Sequence, residues 1–541
     1  MAEDYDVIVI GGGSTGENAA DYAHRGGLRV ALVEEALVGG ECSYYACMPS
    51  KALLRPPAAL AAARRVEGAA AAVTGQLDVP GVLRRRTSFT HDWDDGSQVQ
   101  WAEGAGLDLI RGRARLAGER RVAFTGTDGG PERELTARHA VVLATGSEPA
   151  VPPIEGLNGI RYWTTREATA ADEVPDRLLV IGAGAAGTEL AQAYARLGAQ
   201  VTVLARSTVL AALPEPVGQA VTAALAGDGV DVHAGAAVQR VARPEGDGGP
   251  VVVHLADGGS VVGDELLVAT GRRPRTAGLG LASVGEDPGD GAALEVDETG
   301  LVTGVPGQWL YAAGDVTGHA PLTHMGKYAA RVVGDAIVAR AAAGQGPGAD
   351  GRAGGQESKP DDGDAGHRDD AGAGGRDDKP DGGAGHPDGK PRWAPDPARP
   401  PAWAHADQAP PRWSPWSADS LDTAVTQTVF TDPGVAQVGL TAEAARERGI
   451  AVRTVEQDIG AVAGAAVLAD GYAGWAQLVI DDERDVVLGA TFVGQEVVEM
   501  LHAATVAVVG EVPLGRLWHA VPAYPTVSEV WLRLLEADRA R

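Results

Sequence analysis

At 541 residues the chain is too long for a single hydrophobic core, so roughly three domains are expected. Its formal charge of -27 argues against nucleic acid or an anionic membrane as a partner, since both need basic patches. No apolar run approaches the ~20 residues of a membrane span, and two cysteines cannot build a disulfide framework.

The first residues, "MAEDYDVIVIGGG", carry neither a basic n-region nor a cleavage site, which points to a cytoplasmic protein. "DVIVI" (6–10) has the length and β-branching of a buried parallel strand. It runs into "GGGSTGENAADYAHRGG", where Gly11, Gly13 and Gly16 fit G-x-G-x-x-G at the mouth of a helix. A second strand, "RVALVEE", ends with Glu34, 23 residues after Gly11. The glycines alone are a weak signal. With strand, helix, second strand and terminal acid they make a dinucleotide fingerprint. Glycine lets the backbone approach the pyrophosphate at the helix N-terminus, and Glu34 accepts from the adenosine ribose hydroxyls. A Gly-rich turn in an ordinary α/β unit does not account for the placement of the acid.

"GGECSYYACMPSK" (39–51) holds Cys42 and Cys47, the only two cysteines of the chain. Two buried apolar cysteines are one reading; a redox-active or metal-binding pair is the other. Without neighbouring His ligands the pair falls short of a zinc site, so no metal is expected.

The nucleotide unit then repeats. "RLLVIGAGAAGTELAQAYARLGAQVTVLARS" supplies Gly182, Gly184 and Gly187, but Ala205 stands where the acid would be and Arg206 follows. A carboxylate suits the free ribose of NAD, whereas an Arg suits the 2′-phosphate of NADP, so NADP is favoured with NAD kept open. Residues 341–417 are Gly, Asp and Pro with almost no apolar patterning, and are expected to be disordered. His367 and His386 read as solvated linker residues. Trp393, Trp403, Trp413 and Trp416 lie among prolines at the end of this stretch and are candidates to latch onto the folded body. Beyond residue 420, "AVTQTVF", "GWAQLVIDD" and "VVLGATFVG" read as strands, and "EVVEMLHAATVAVVG" as a helix ending at Gly510.

Besides the two nucleotide units and "CSYYACMPSK", the chain carries "LATGSEP" (143–149), "VATGRRP" (268–274), "YAAGDVTG" (311–318), "VFTDP" (429–433) and "YPTVSE" (524–529). In this order they resemble the FAD-dependent pyridine nucleotide-disulfide oxidoreductases, the family of dihydrolipoamide, glutathione and mercuric reductases. The resemblance covers nearly everything except 341–417. It implies an α/β fold with two dinucleotide-binding (Rossmann-like) domains and an α+β C-terminal dimerisation domain. The boundaries expected are 1–152 and 280–340 for the FAD domain, 153–279 for the NAD(P) domain, 341–417 for the insert and 418–541 for dimerisation.

The resemblance further implies FAD on the first unit, NAD(P)H on the second, and a homodimer. Thr145, Gly146, Gly271, Gly314 and Asp315 become cofactor-binding residues, with Asp315 at the flavin's ribitol or phosphate end. Lys51 is expected near the flavin N5 edge with Glu189 as its partner. Cys42 is the thiol that exchanges with substrate and Cys47 the one that faces the flavin. Five positions on an early helical turn suit bonding range with one sulfur exposed, and a helix N-terminus and Lys51 both favour thiolate.

Three departures stand out. Tyr524 occupies the place of the family's acid–base His, although Glu529, the orienting acid, is present. Tyr has a reference pKa of ~10 against ~6.5 for His, so a phenol is a weak acid–base group for thiols. His519 is a nearby substitute, but a structural role is the expectation. Mercuric reductases use a further C-terminal cysteine pair, and no cysteine follows Cys47. Ala185 stands where glutathione reductase has a Tyr lid. Soluble transhydrogenases carry Tyr-Pro-Thr but lack the full cysteine pair, so this chain mixes two patterns. The reading is an NADPH-dependent FAD flavoprotein passing electrons through Cys42 and Cys47 to a small-molecule or protein disulfide. The alternative is a diaphorase, quinone reductase or transhydrogenase-like flavoenzyme whose electrons leave directly from flavin. A redox-inactive FAD scaffold is disfavoured by the intact cysteines.

Overall fold

The computed structural model describes residues 3–246, 248–344, 400–405 and 408–541. Strand β1 (Glu3–Ile10) leads into helix α1 (Ser14–Arg25) and returns as β2 (Val30–Glu34). β1 pairs in parallel with both β2 and β5 (Arg133–Leu143), and β2 pairs in parallel with β3 (Asp108–Leu116). The antiparallel strand β4 (Arg121–Gly126) joins β3 to β5. Flanked on both edges and covered on both faces, β1 buries consecutive residues Val7, Ile8 and Val9, which explains an apolar run without alternation. The sheet is completed by Leu310–Ala312, parallel to β5, so chain from far downstream closes the first nucleotide unit.

The glycine loop works by close approach. Gly11 has φ +104°, and a Cβ there would collide with the carbonyl oxygen of Ala144. A Cβ on Gly16 would collide in turn with the Gly11 carbonyl, so α1 can start against the strand ends only because both lack side chains. The second unit repeats this arrangement. Gly182 closes on Ala269 and Gly187 on Gly182. Its four parallel strands run in the order Glu265–Val268, Arg177–Ile181, Gln200–Ala205, Asp231–Ala234, with the helix Ala185–Arg196 after the glycine loop.

The C-terminal region is a five-stranded antiparallel sheet in the order Thr426–Val429, Gly434–Gly439, Val487–Gly494, Trp475–Asp481, Val452–Asp458. Ala504 of helix Leu501–Val509 and Leu534 of helix Val530–Arg539 pack with Phe492 in its core.

The limits of 341 and 417 drawn from composition are too wide at both ends. Helix Thr323–Gly344 runs through position 341. At the far end Trp403 is buried against Ala336 and Ala339 of that helix and against Trp416, ring centroids 5.6 Å apart. Arg340 lies 5.2 Å over the Trp403 ring. Mutual burial of large apolar groups orders this end, which composition averaged over the stretch hides. Trp413 is exposed. Trp393, His367 and His386 lie outside the described residues, as does the bulk of the stretch expected to be disordered. Among the described residues no helix is long and apolar enough to cross a membrane.

Candidate functional site

Gly39 and Gly40, both at positive φ, turn the chain into α2 (Gly40–Tyr44), which carries Cys42. A second helix, α3 (Cys47–Arg64), opens on Cys47. Between them Tyr45 and Ala46 leave helical geometry, Ala46 at φ -132° and ψ -95°. The single helical turn expected to carry both sulfurs is therefore two helices meeting at a break, with Cys47 at the N-terminus of the longer one. Its N–H groups favour a thiolate there.

The two thiols are free and strongly unequal. A hydrogen bond from Cys42 holds Cys47 well below the usual thiol range, against the opposing effect of burial. The Thr323 hydroxyl, 3.3 Å from Cys47 Sγ, and the charge of Lys51 push the same way. The same hydrogen bond, together with burial, raises the Cys42 thiol, which favours the proton on Cys42 and the negative charge on Cys47.

Lys51 Nζ lies 2.7 Å from Glu189 Oε2, as the resemblance implied. Glu189 is buried and its other oxygen accepts from the backbone N–H of Phe430 at 2.8 Å, while Lys51 stands 4.8 Å from the Phe430 ring centroid. Residues Glu189, Gln192 and Arg196 form one face of their helix, and all three bond to the "VFTDP" loop. Gln192 accepts from Asp432 N at 2.7 Å, and Asp432 Oδ2 takes both Arg196 and Arg65, the residue following α3. The redox helix, the second nucleotide unit and the C-terminal sheet meet at this loop.

Both cysteines open onto a cleft of about 320 Å³ lined also by Gly11, Gly13 and Glu34 of the first unit. Thr145, Gly146 and Asp315 complete its wall. Glu34 accepts from Gly12 N at 2.6 Å and from Ala36 N at 2.7 Å, and burial raises its pKa despite those bonds. Each carboxylate oxygen keeps a further lone pair for ribose hydroxyls. Gly16 and Gly314 stand behind the wall: Gly314 has no room for a Cβ beside Thr15. Asp315 accepts from Ser147 Oγ at 2.5 Å, and Ser147 Oγ accepts from Arg272 Nε at 2.7 Å. The cradle of Cβ-free backbone, an inward carboxylate at the second strand end and Asp315 fits FAD.

In the second unit Gly184 caps its helix without a side-chain hydrogen bond, leaving N–H groups for a phosphate. Gly271, at φ +123°, follows the strand Glu265–Val268. Arg206 is exposed just beyond the end of Gln200–Ala205 and has no ion pair among the described residues. Tyr524 is 77% exposed and is not part of the cleft of its own chain. Glu529 is buried nearby in sequence, with Oε2 lacking a hydrogen-bond partner among the described residues. His519 is exposed. Sequence reasoning passed over Thr323, Ser147 and Arg272; the last two sit inside "LATGSEP" and "VATGRRP", where the motifs could have marked them.

Residues 5–343 match the family described as pyridine nucleotide-disulphide oxidoreductase, and residues 425–534 match its dimerisation domain. A mercuric reductase of Shigella flexneri is 36% identical over 315 residues, 58% of this chain and 55% of the relative. The chain thus spans just over half the length of that relative. A dihydrolipoyl dehydrogenase of Thermus scotoductus is 30% identical over 559 residues, 98% of this chain and 97% of the relative. In fold, the Cu(II) complex of the HOCl-induced flavoprotein disulfide reductase RclA from Escherichia coli is similar with a TM-score of 0.72. Its identity is 22%, and the match covers 99% of each chain. Because the family matches run through both nucleotide units and on into the C-terminal sheet, this chain is a member of the pyridine nucleotide-disulphide oxidoreductase family.

Proposed function

We propose that this chain is an FAD-dependent disulfide reductase that takes its electrons from NADPH, works as a cytoplasmic homodimer, and delivers the electrons through Cys42 and Cys47. The observation that carries the reading is the placement of the pair: both cysteines open onto a nucleotide cradle, with Cys47 at the N-terminus of α3 and 3.3 Å from the Thr323 hydroxyl. FAD, when bound, would supply the two-electron chemistry that links the reduced coenzyme to the Cys42–Cys47 disulfide. Gly11, Gly13 and Gly16 admit its pyrophosphate, Glu34 its ribose, and Asp315, held by Ser147, its ribitol side.

The dithiol then does the chemistry. Cys42 passes its proton to the Cys47 thiolate and attacks the acceptor disulfide, forming a mixed disulfide and releasing a thiolate that takes up a proton. Cys47 then attacks the Cys42 sulfur, its proton goes to the second leaving thiolate, and the Cys42–Cys47 disulfide closes. One acceptor disulfide and two protons become two thiols, at the expense of the dithiol's electron pair. The exposed Tyr524 is read as reaching Cys42 of a second copy, where it protonates the leaving thiolate weakly, because its reference pKa lies about 1.5 units above that of a thiol. The coenzyme reading rests on Arg206 following Ala205 where the first unit has Glu34, and the compartment on a chain whose two cysteines build no disulfide framework.

The test is disulfide turnover by Cys42→Ser, which should fall to background, alongside Tyr524→Phe, which should slow thiol exchange modestly without slowing reduction by NADPH. Full disulfide activity in Cys42→Ser would refute the reading.

A further inference from the structure

The turn between the two cysteines is held from outside. The Tyr44 carbonyl accepts from Trp93 Nε1 at 3.2 Å, and the Tyr45 carbonyl accepts from Thr169 Oγ1 at 2.9 Å. These donors come from separate segments, the stretch after helix Val79–Phe89 and the helix Thr165–Ala170. Arg86 ties the two segments together. Its guanidinium donates to the carbonyls of Thr169 and, at 3.0 Å, Ala171, and stands 5.2 Å from the Trp93 ring centroid. Arg86 and Thr169 are each only 1% exposed. The Thr165–Ala170 helix is anchored in turn, because Tyr194 of the second nucleotide unit donates to the Ala168 carbonyl at 2.6 Å.

Two features set this ring apart from ordinary packing. His91, Asp92 and Trp93 all have positive φ (49°, 54° and 58°), a run of left-handed non-glycine residues that must be held by its surroundings. The strained run ends on the residue that donates to Tyr44. In the same way the clamped carbonyls belong to the two residues before Ala46, whose φ and ψ lie outside the usual helical and extended regions. Pro49 has no N–H to offer the Tyr45 carbonyl, so the outer donors hold a turn that a continuing helix could not satisfy.

We propose that Arg86, Trp93 and Thr169 are positioning residues that set the dithiol–disulfide equilibrium of Cys42 and Cys47 by fixing the turn between them. The inference rests on the redox reading of the pair. A disulfide demands a narrow Cα separation and dihedral, whereas a dithiol does not. Holding the turn keeps the sulfurs within bonding reach and favours the disulfide; freeing it lowers their effective concentration and favours the dithiol.

The experiment equilibrates FAD-loaded protein in buffers of fixed reduced-to-oxidised dithiothreitol ratio. Each protein disulfide reduced converts one dithiothreitol to its cyclic disulfide. Acid quenching, alkylation and mass measurement then count the thiols. Thr169→Val and Trp93→Phe remove one donor each and keep the shape of the site. Each should shift the equilibrium roughly tenfold towards the dithiol, about 30 mV in midpoint potential. Thr169→Ser, which keeps the hydroxyl, should match wild type. Arg86→Leu should shift it as far or further; should it fail to fold, the two single-donor variants still decide. Thr169→Val and Trp93→Phe that fold, lose thermal stability and leave the equilibrium within twofold of wild type would show a purely structural ring and overturn the proposal. A wild-type pair that stays dithiol at every ratio would overturn the redox reading, and the clamp with it.

Discussion

Replacing Thr323 by Val keeps the branched shape and removes only the hydroxyl that stands 3.3 Å from Cys47 Sγ. A hydrogen bond to a charged group is worth about 1.5–3 kcal/mol, and one pKa unit corresponds to about 1.4 kcal/mol. Thr323→Val should therefore raise the Cys47 pKa by roughly 1–2 units. In the folded protein this pKa lies below the unfolded value of about 8.5. The thiolate's contribution to stability is thus complete above the unfolded value and is lost as pH falls through the folded one. Between the two, stability rises with pH, and Thr323→Val should narrow that window from its acid side. The assay is the rate of iodoacetamide alkylation of Cys47 in reduced, FAD-loaded protein as a function of pH, with the site identified by peptide mass. An unchanged midpoint in a variant that still binds FAD would show that Thr323 does not stabilise the thiolate.

Three further outcomes follow from the same geometry. Lys51→Met strips the buried Glu189 of its ion-pair partner and should destabilise the fold by about 3 kcal/mol in urea melts, the low end for a buried pair because Lys51 is 35% exposed. Lys51→Met with Glu189→Gln should recover much of that loss, and no recovery would mean the pair is not coupled. Arg206→Glu should lower kcat/KM for NADPH tenfold or more while sparing NADH, in line with the loss of one charge-assisted bond of about 1.5 kcal/mol; a wild type that prefers NADH contradicts the coenzyme assignment. Trp403→Ala removes a buried aromatic from helix Thr323–Gly344 and should cost about 3–5 kcal/mol, read as a lower melting temperature; an unchanged one would show that this end of the insert does not hold the helix.

What could be read before the structure was whatever the chain encodes locally. The glycine loops are of this kind: Gly11 and Gly16 are required by contacts made within a strand-turn-helix and its neighbouring strand, and the residue types announce the geometry. The Lys51–Glu189 pair spans 138 positions and was accessible only through family resemblance. Thr323 lies 276 positions from Cys47 in "PLTHMG", a stretch without any pattern that points to a thiolate, and it was missed. The tryptophans at the end of the insert were read as a latch, and Trp403 and Trp416 are one; the limit at 417 was misplaced for a different reason. Composition averages over a window, whereas Trp403 acts through a single buried side chain.

The cysteine turn shows most directly why local reading runs out. No residue from Cys42 to Ala46 breaks a helix, but Pro49 has no N–H to bond the Tyr45 carbonyl and its ring crowds it, so a helix continuing through Tyr45 is disfavoured locally. The break is then held from outside, because Trp93 donates to the Tyr44 carbonyl and Thr169 to the Tyr45 carbonyl that Pro49 leaves without a helical donor. Those donors are in place because Arg86, one of three consecutive arginines, gives its guanidinium to backbone carbonyls in the interior. A buried cation of this kind is tolerable only when its donors are met, and here carbonyls from the Thr165–Ala170 segment and its flank meet them. The place of the break is thus marked locally by Pro49, while its conformation is fixed by residues 40 to 130 positions away. The identity of the cysteine pair was legible in the sequence; the donors that hold its turn were not.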